Sequence, residues 1–305
     1  LRPLPARPPP VASLSGACVS IAGVAGRTND LRPSPDGTTL VAAGDSTLTM
    51  WSREGQVLRT FPVPRDTRLW SAVFDPSGER VIAGGVDKTL RAYRVADGST
   101  DWSLDVGAPI RRLEWSTDGK KLLVAAEDGT ARVVDAESRR VLHVLRHGPG
   151  DVMAAVAHPD GSTIYTAGDD QTIKVWDLAT GARKQTLSGH EGPVTSLAFS
   201  SGGRLLVSGS DDRSVITWSV ADARALRRSA WHSAPVWTVA TSPDGRYTLT
   251  GGQDRNTMLS DTATGRLLGQ FAGAQVISAA FDGRGNVVVG MGGGGIAVCR
   301  LARRG

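Results

Sequence analysis

No run of about eighteen apolar residues occurs in this sequence, the length a helix needs to cross a bilayer, so no membrane-spanning helix is expected. There is no H-E-x-x-H, no C-x-x-C, no calcium-loop pattern and no Walker A loop, and the five histidines fall mostly at turns or strand entries. Neither a metal nor a nucleotide cofactor is therefore expected. The formal net charge is +5, yet the basic residues are spread along the chain and form no block of the kind that grips nucleic acid. Val11 to Gly26 has a faint signal-peptide look, but Ser and Gly interrupt its apolar stretch, and it serves better as a strand.

What the 305 residues do contain is 37 glycines, set repeatedly in Pro-Asp-Gly, Asp-Gly and Ser-Gly pairs between short alternating runs. That pattern implies many tight turns between strands, an all-β chain with ample length for a core. The opening LRPLPARPPP, by contrast, reads as a polyproline-type linker over residues 1–16. A chain that opens in this way is expected to be the C-terminal part of a larger protein.

Internal repetition fixes the architecture. Turn glycines recur at Gly37, Gly78, Gly119, Gly161, Gly203, Gly245 and Gly285, between 40 and 42 residues apart. Nine residues after five of them stand Asp87, Asp128, Asp170, Asp212 and Asp254; Asp45 comes one residue early, and Gly294 takes the last place. Six residues beyond those places come Trp51, Tyr93, Val134, Trp176, Trp218 and Ser260, closing strands such as TIKVWDLATG. Each repeat reads as four strands and three turns.

With Gly189-His190, the SPDG turns, GSDD and Trp176-Asp177, the chain resembles the WD-repeat β-propeller family from about residue 17 to 304. The resemblance implies a seven-bladed, all-β propeller of four-stranded antiparallel blades. The last repeat ends after its third strand, so the N-terminal strand ACVSIAG is expected to complete it and seal the ring. Pairing Lys184 across its hairpin with Trp176, and carrying that register to the last blade, sets Cys18 opposite Cys299. Such a closure pair lies near disulfide distance, although reduced thiols are the expectation unless the compartment is oxidising.

In the family resembled, a His, a Ser or Thr, an Asp and a Trp form one hydrogen-bonded chain within a blade. His190, Ser208, Asp212 and Trp218 fill all four places. Partial sets are Thr166, Asp170 and Trp176 in blade four, where His147 is one residue out of register, and His232, Thr250 and Asp254 in blade six, where Ser260 replaces Trp. A Ser-His-Asp hydrolase would need the serine exposed beside an oxyanion hole, so a structural tetrad is the expected role. The run GMGGGG (Gly290 to Gly295) matches a dinucleotide loop in letters only, because a strand and not a helix follows it.

The family's geometry also places residues at the mouth of the central channel. Those just after the entry of each innermost strand are Asn29, Trp70, Arg111, Met153, Thr195, Trp237 and Ile277; those before the tight-turn Asp are Gly44, Val86, Glu127, Asp169, Asp211 and Gln253. Glu127, Asp169 and Asp211 form an acidic arc on three consecutive blades, and Trp70 and Trp237 offer anchoring surface. The candidate partner-binding set is thus Trp70, Arg111, Glu127, Met153, Asp169, Asp211, Trp237 and Gln253, suited to a protein or peptide with basic and apolar residues. The expected function is a non-catalytic interaction scaffold, monomeric as a domain, in a larger signalling protein of bacterial type. The compartment stays open between the cytoplasm and an extracytoplasmic domain of a membrane-anchored protein. The alternative is a metal-dependent hydrolase or lactonase propeller, with Asn29, Glu127, Asp169 and Asp211 as its only candidate ligands.

Overall fold

A computed structural model describes residues 18–21, 27–273, 275–282 and 285–299. The expected linker, residues 1–16, lies outside the described residues. Seven four-stranded antiparallel sheets follow one another, and no helix occurs among the described residues. Blade one runs Thr28–Pro33, Thr39–Gly44, Leu48–Ser52 and Val57–Thr60, and this order, innermost strand first, repeats through blade six, which begins at Val236–Thr241 and ends at Leu267–Ala272. The seventh sheet comprises Val276–Phe281, Val287–Met291, Ile296–Cys299 and, as its outermost strand, Cys18–Ile21. First strands touch the first strands of neighbouring blades all the way round, with Val276–Phe281 against Thr28–Pro33.

The turns explain the glycine content. All seven repeat glycines are left-handed, with φ from 67° to 80°. Each N–H closes a tight turn onto the carbonyl three residues earlier, as Gly203 does onto Ser200 at 2.8 Å. A side chain is strained in that backbone region, so glycine is the residue that fits. Second strands are buried on both faces, as in the consecutive buried residues Leu122, Leu123, Val124 and Ala125 of blade three, because each blade is sandwiched between two others. Contact between blades is close: a Cβ added at Gly209 would stand 2.8 Å from Val236 Cγ1 of the next blade.

The register corrects one expectation. Trp176 pairs with Arg183 and not with Lys184, because a bulge interrupts the outer hairpin between Val175 and Trp176. A bulge sets two residues against one, so counting across the hairpin slips by a position. Lys184 instead reaches Asp177 at 2.9 Å. In blade seven the described pairing is regular, with Cys18 opposite Cys299. Cys299 is disulfide-bonded, where the sequence favoured reduced thiols. The Gly290–Gly295 run lies between the strands Val287–Met291 and Ile296–Cys299, and Gly294 adopts φ 86°.

Candidate functional site

In blade five the Trp218 indole N–H donates to Ser208 Oγ at 2.8 Å, Ser208 Oγ lies 2.7 Å from His190 Nε2, and His190 Nδ1 lies 2.9 Å from Asp212 Oδ2. One arrangement satisfies every group: Nδ1–H donates to the carboxylate while Nε2 accepts the serine proton. Ser208 is wholly buried, so its hydroxyl lies beyond the reach of a substrate carbonyl. Asp212 also accepts from Glu191 N–H at 2.9 Å, Ser214 Oγ–H at 2.6 Å and Arg228 at 3.1 Å. Burial works against its charge, but the hydrogen bonds from His190 and Ser214 outweigh that and hold the carboxyl well below the usual carboxylate range.

Blade four carries a complete version of the same chain, which the sequence rated as partial. Trp176 donates to Thr166 Oγ1 at 2.8 Å, and His147 meets Thr166 through Nδ1 at 2.7 Å and Asp170 through Nε2 at 2.9 Å. The imidazole is turned end for end relative to His190, which lets a histidine one residue out of step still bridge the two groups. In blade six His232 joins Asp254 at 3.0 Å and Thr250 at 2.8 Å, while Ser260 turns to the Thr248 carbonyl. Blades two and three fasten their turn aspartates differently. Arg91 pairs with Asp87 at 2.5 Å and Arg132 with Asp128 at 2.6 Å, each four residues on, and Lys174 pairs with Asp170 at that spacing too. That Asp-x-x-x-Arg/Lys signal was readable in the sequence and was missed.

These groups set a pH dependence. Burial pushes His147 and His232 below the ordinary 6.5, against the pull of their aspartates. Burial likewise opposes the Asp170 charge, but hydrogen bonds from Lys174 and Thr172 bring its pKa down to about 2. A histidine held neutral in the folded state loses stabilisation as pH falls through its unfolded value, and a depressed aspartate does so at lower pH. Stability measured by urea unfolding is therefore expected to decline from pH 7 to 5 and again below pH 4. A flat profile between pH 7 and 5 would contradict the histidine assignment.

Near its start every innermost strand carries a bulge, in the register gaps 28/30, 69/71, 110/112, 152/154, 194/196, 236/238 and 276/278. The seven bulged residues are Asn29, Trp70, Arg111, Met153, Thr195, Trp237 and Ile277. Bulges re-aim side chains. Two of these residues are buried and spent on the scaffold: Asn29 donates to Asp45 at 3.1 Å and the Leu69 carbonyl at 2.8 Å, and Thr195 donates to the Val236 carbonyl. Arg111 lies over the Trp70 ring at 4.9 Å and pairs with Glu127 at 3.1 Å and Asp151 at 2.6 Å. Arg68 approaches the same ring at 5.6 Å and pairs with Asp45 at 3.1 Å.

The acidic arc is therefore split. Its blade-three member, Glu127, is neutralised by Arg111, whereas Asp169 and Asp211 are exposed and meet no cation among the described residues. Asp169 caps the Asp151 N–H at 2.8 Å. Asp211 has its pKa raised by partial burial first, then by the charges of Asp169 and Asp212. Half-buried Met153 and Trp237 and exposed Gln253 belong to this same sector, blades four to six, and Val86 stands exposed on blade two. Among the described residues, no three His, Cys, Asp or Glu are grouped to hold a metal ion.

Fold and fastening define a β-propeller built from one repeated sheet motif. The WD domain, G-beta repeat, matches residues 10–52, 55–94, 181–219 and 226–261, and the anaphase-promoting complex subunit 4 WD40 domain matches residues 76–158. The chain belongs to the WD-repeat family. It is 32% identical over 99 residues to a eukaryotic translation initiation factor 3 subunit I of Candida albicans, over 30% of this chain and 28% of the relative. It is 30% identical over 115 residues to the small ribosomal subunit protein RACK1y of Oryza sativa subsp. japonica, over 37% of this chain and 34% of the relative. An intraflagellar transport protein 172 homolog of Danio rerio is 28% identical over 34% of this chain, which is 6% of that protein. The chain thus matches about a third or less of the length of these curated relatives.

Proposed function

We propose that this propeller is a non-catalytic scaffold that holds a protein or peptide at the channel mouth, in the sector of blades four to six. The observation that carries this reading is the pair of exposed, uncompensated carboxylates, Asp169 and Asp211, beside half-buried Met153 and Trp237. A Lys or Arg entering there offsets the partial burial and the neighbouring carboxylate charges that together raise the Asp211 pKa, and an adjacent apolar residue covers the tryptophan. The other half of the mouth is already matched internally through Arg111. Relatives named as a subunit of an initiation factor and as a ribosomal subunit protein support a role in assemblies. A place in a larger signalling protein of bacterial type is the finer part of the proposal; it rests on the Ala-, Gly- and Arg-rich repeats, while the relatives cited above are eukaryotic.

The enzyme reading loses one of its four candidate ligands, because Glu127 is paired with Arg111. Asn29 holds Asp45 and the Leu69 carbonyl through its amide N–H groups, and its own side-chain oxygen is buried. The test is a peptide library presented to the parent and to an Asp211→Asn, Trp237→Ala double variant of unchanged thermal stability. Retained peptides are expected to pair Lys or Arg with an apolar neighbour, and the variant to bind them roughly thirtyfold more weakly, as for a hot spot of about 2 kcal/mol. Equal affinity for the variant, or selection of acidic peptides, would move the site elsewhere.

A further inference from the structure

Below the mouth, the innermost strands enclose a central channel of about 400 Å³, within the range of roughly 300–1,000 Å³ typical of small-molecule sites. Its wall is two-sided. Blades one and three contribute Arg32, Arg112 and Glu114, with Asp30 just behind them, whereas blades four to seven contribute small apolar residues such as Ala157, Ala198, Ala240 and Ala280.

The four charges on the polar side are unequally matched. Wholly buried Asp30 accepts from Leu31 N–H at 3.0 Å, Ser71 Oγ–H at 2.6 Å and Ser278 Oγ–H at 3.0 Å. Arg32 sits between Asp30 at 3.4 Å and Glu114 at 3.3 Å. That leaves Arg112, whose nearest carboxylate oxygen is Asp30 Oδ1 at 3.6 Å and whose guanidinium makes no hydrogen bond among the described residues. Burial and the neighbouring Arg32 cation outweigh the two carboxylates and hold the Arg112 pKa below its ordinary value. The open valence of the channel is a planar fork of N–H donors facing an apolar wall.

We propose that the channel is a binding site for a small organic carboxylate, chelated by the Arg112 guanidinium with its apolar body against the alanine wall of blades four to seven. A carboxylate matches the fork with two parallel charge-assisted hydrogen bonds. A cation does not fit, because the Asp30 oxygens are occupied and Glu114 is engaged by Arg32. Inorganic phosphate gains nothing from the alanine wall and needs more donors than one guanidinium offers.

The test is calorimetric titration of the whole chain with phenylacetate, with its neutral analogue phenylacetamide and with inorganic phosphate. Phenylacetate is expected to bind with a Kd of about 1 mM or tighter and at least tenfold more tightly than the other two. Arg112→Gln is expected to weaken phenylacetate roughly tenfold or more, with Arg112→Lys in between. Ala240→Leu, which narrows the channel and leaves the charges in place, is expected to weaken it as well. Should Arg112→Gln fail to fold, the analogue comparison and Ala240→Leu still decide. Absence of phenylacetate binding at millimolar concentration, equal binding of phenylacetamide or phosphate, or undiminished binding by a folded Arg112→Gln would each overturn the proposal.

Discussion

Replacing Asp30 by alanine is expected to destabilise the propeller by about 3–5 kcal/mol, the cost of removing one partner from a buried charge cluster. Its carboxylate joins three blades: its own through Leu31 N–H, blade two through Ser71 and blade seven through Ser278. Around the ring the matching positions carry hydroxyls that do part of this work. Ser71 accepts from Leu113 N–H at 3.2 Å, Ser196 from Val239 N–H at 3.1 Å and Thr238 from Ala279 N–H at 3.1 Å, each holding the next blade's innermost strand. Asp30 extends the series forward to Ala72 N–H at 3.4 Å and also reaches back, so it spans the junction where blade seven meets blade one. Alanine there takes the carboxylate acceptor from Ser71, leaves Ser278 with the Leu31 carbonyl at 3.3 Å, and leaves Arg32 and Arg112 facing each other with one carboxylate fewer. Asp30→Asn keeps the shape and loses the charge, so an intermediate loss is expected. Urea unfolding checks both variants. A loss below about 1 kcal/mol for Asp30→Ala would mean that the ring draws its circumferential strength from packing alone.

Much of this was legible in the sequence, and the parts that were not share a cause. A seven-fold repeat made each blade a witness to the others. The spacing of Gly37 through Gly285 located the turns, and the resembled family's geometry carried along that spacing named seven residues that each prove to be bulged. Counting fails where the chain departs from strict periodicity. The outer-hairpin bulge displaced Lys184 from Trp176, and the reversed imidazole of His147 completed a tetrad that a fixed register leaves broken. It fails again where partners come from different blades. Arg111 neutralises Glu127 on its own blade but meets Asp151 forty residues away, and Asp30 meets Ser278 from the other end of the chain. A repeat alignment ranks residues by their likeness to other copies, whereas Asp30 and Arg112 matter because their copies are Ser, Thr or Ala.

The second large effect is expected from His190→Ala, a loss of about 2–4 kcal/mol. The two ends of the imidazole are not equivalent. Removing the imidazole takes a hydrogen bond from Ser208 and from Asp212, and the 3.2 Å contact from Ser214, at about 1–3 kcal/mol for each group left unsatisfied, and opens a cavity beside Trp218. The Asp212 end is cushioned, because that carboxylate keeps Glu191 N–H, Ser214 and Arg228. The Ser208 end is not, since its hydroxyl is left with the Trp218 indole as donor and a 3.5 Å approach to the Ile216 carbonyl as its remaining outlet. His232→Ala in blade six is expected to cost less, because no tryptophan closes that chain and Thr250 is not tied to a second buried ring. The ordering of the two variants is the sharper test, since both remove the same side chain from the same blade position. Thermal and urea unfolding of the pair would measure it. If His232→Ala proved the more damaging, the indole–hydroxyl–imidazole–carboxylate chain would not be the unit that fastens blade five, and its stability would have to come from the inter-blade packing of Trp218 itself.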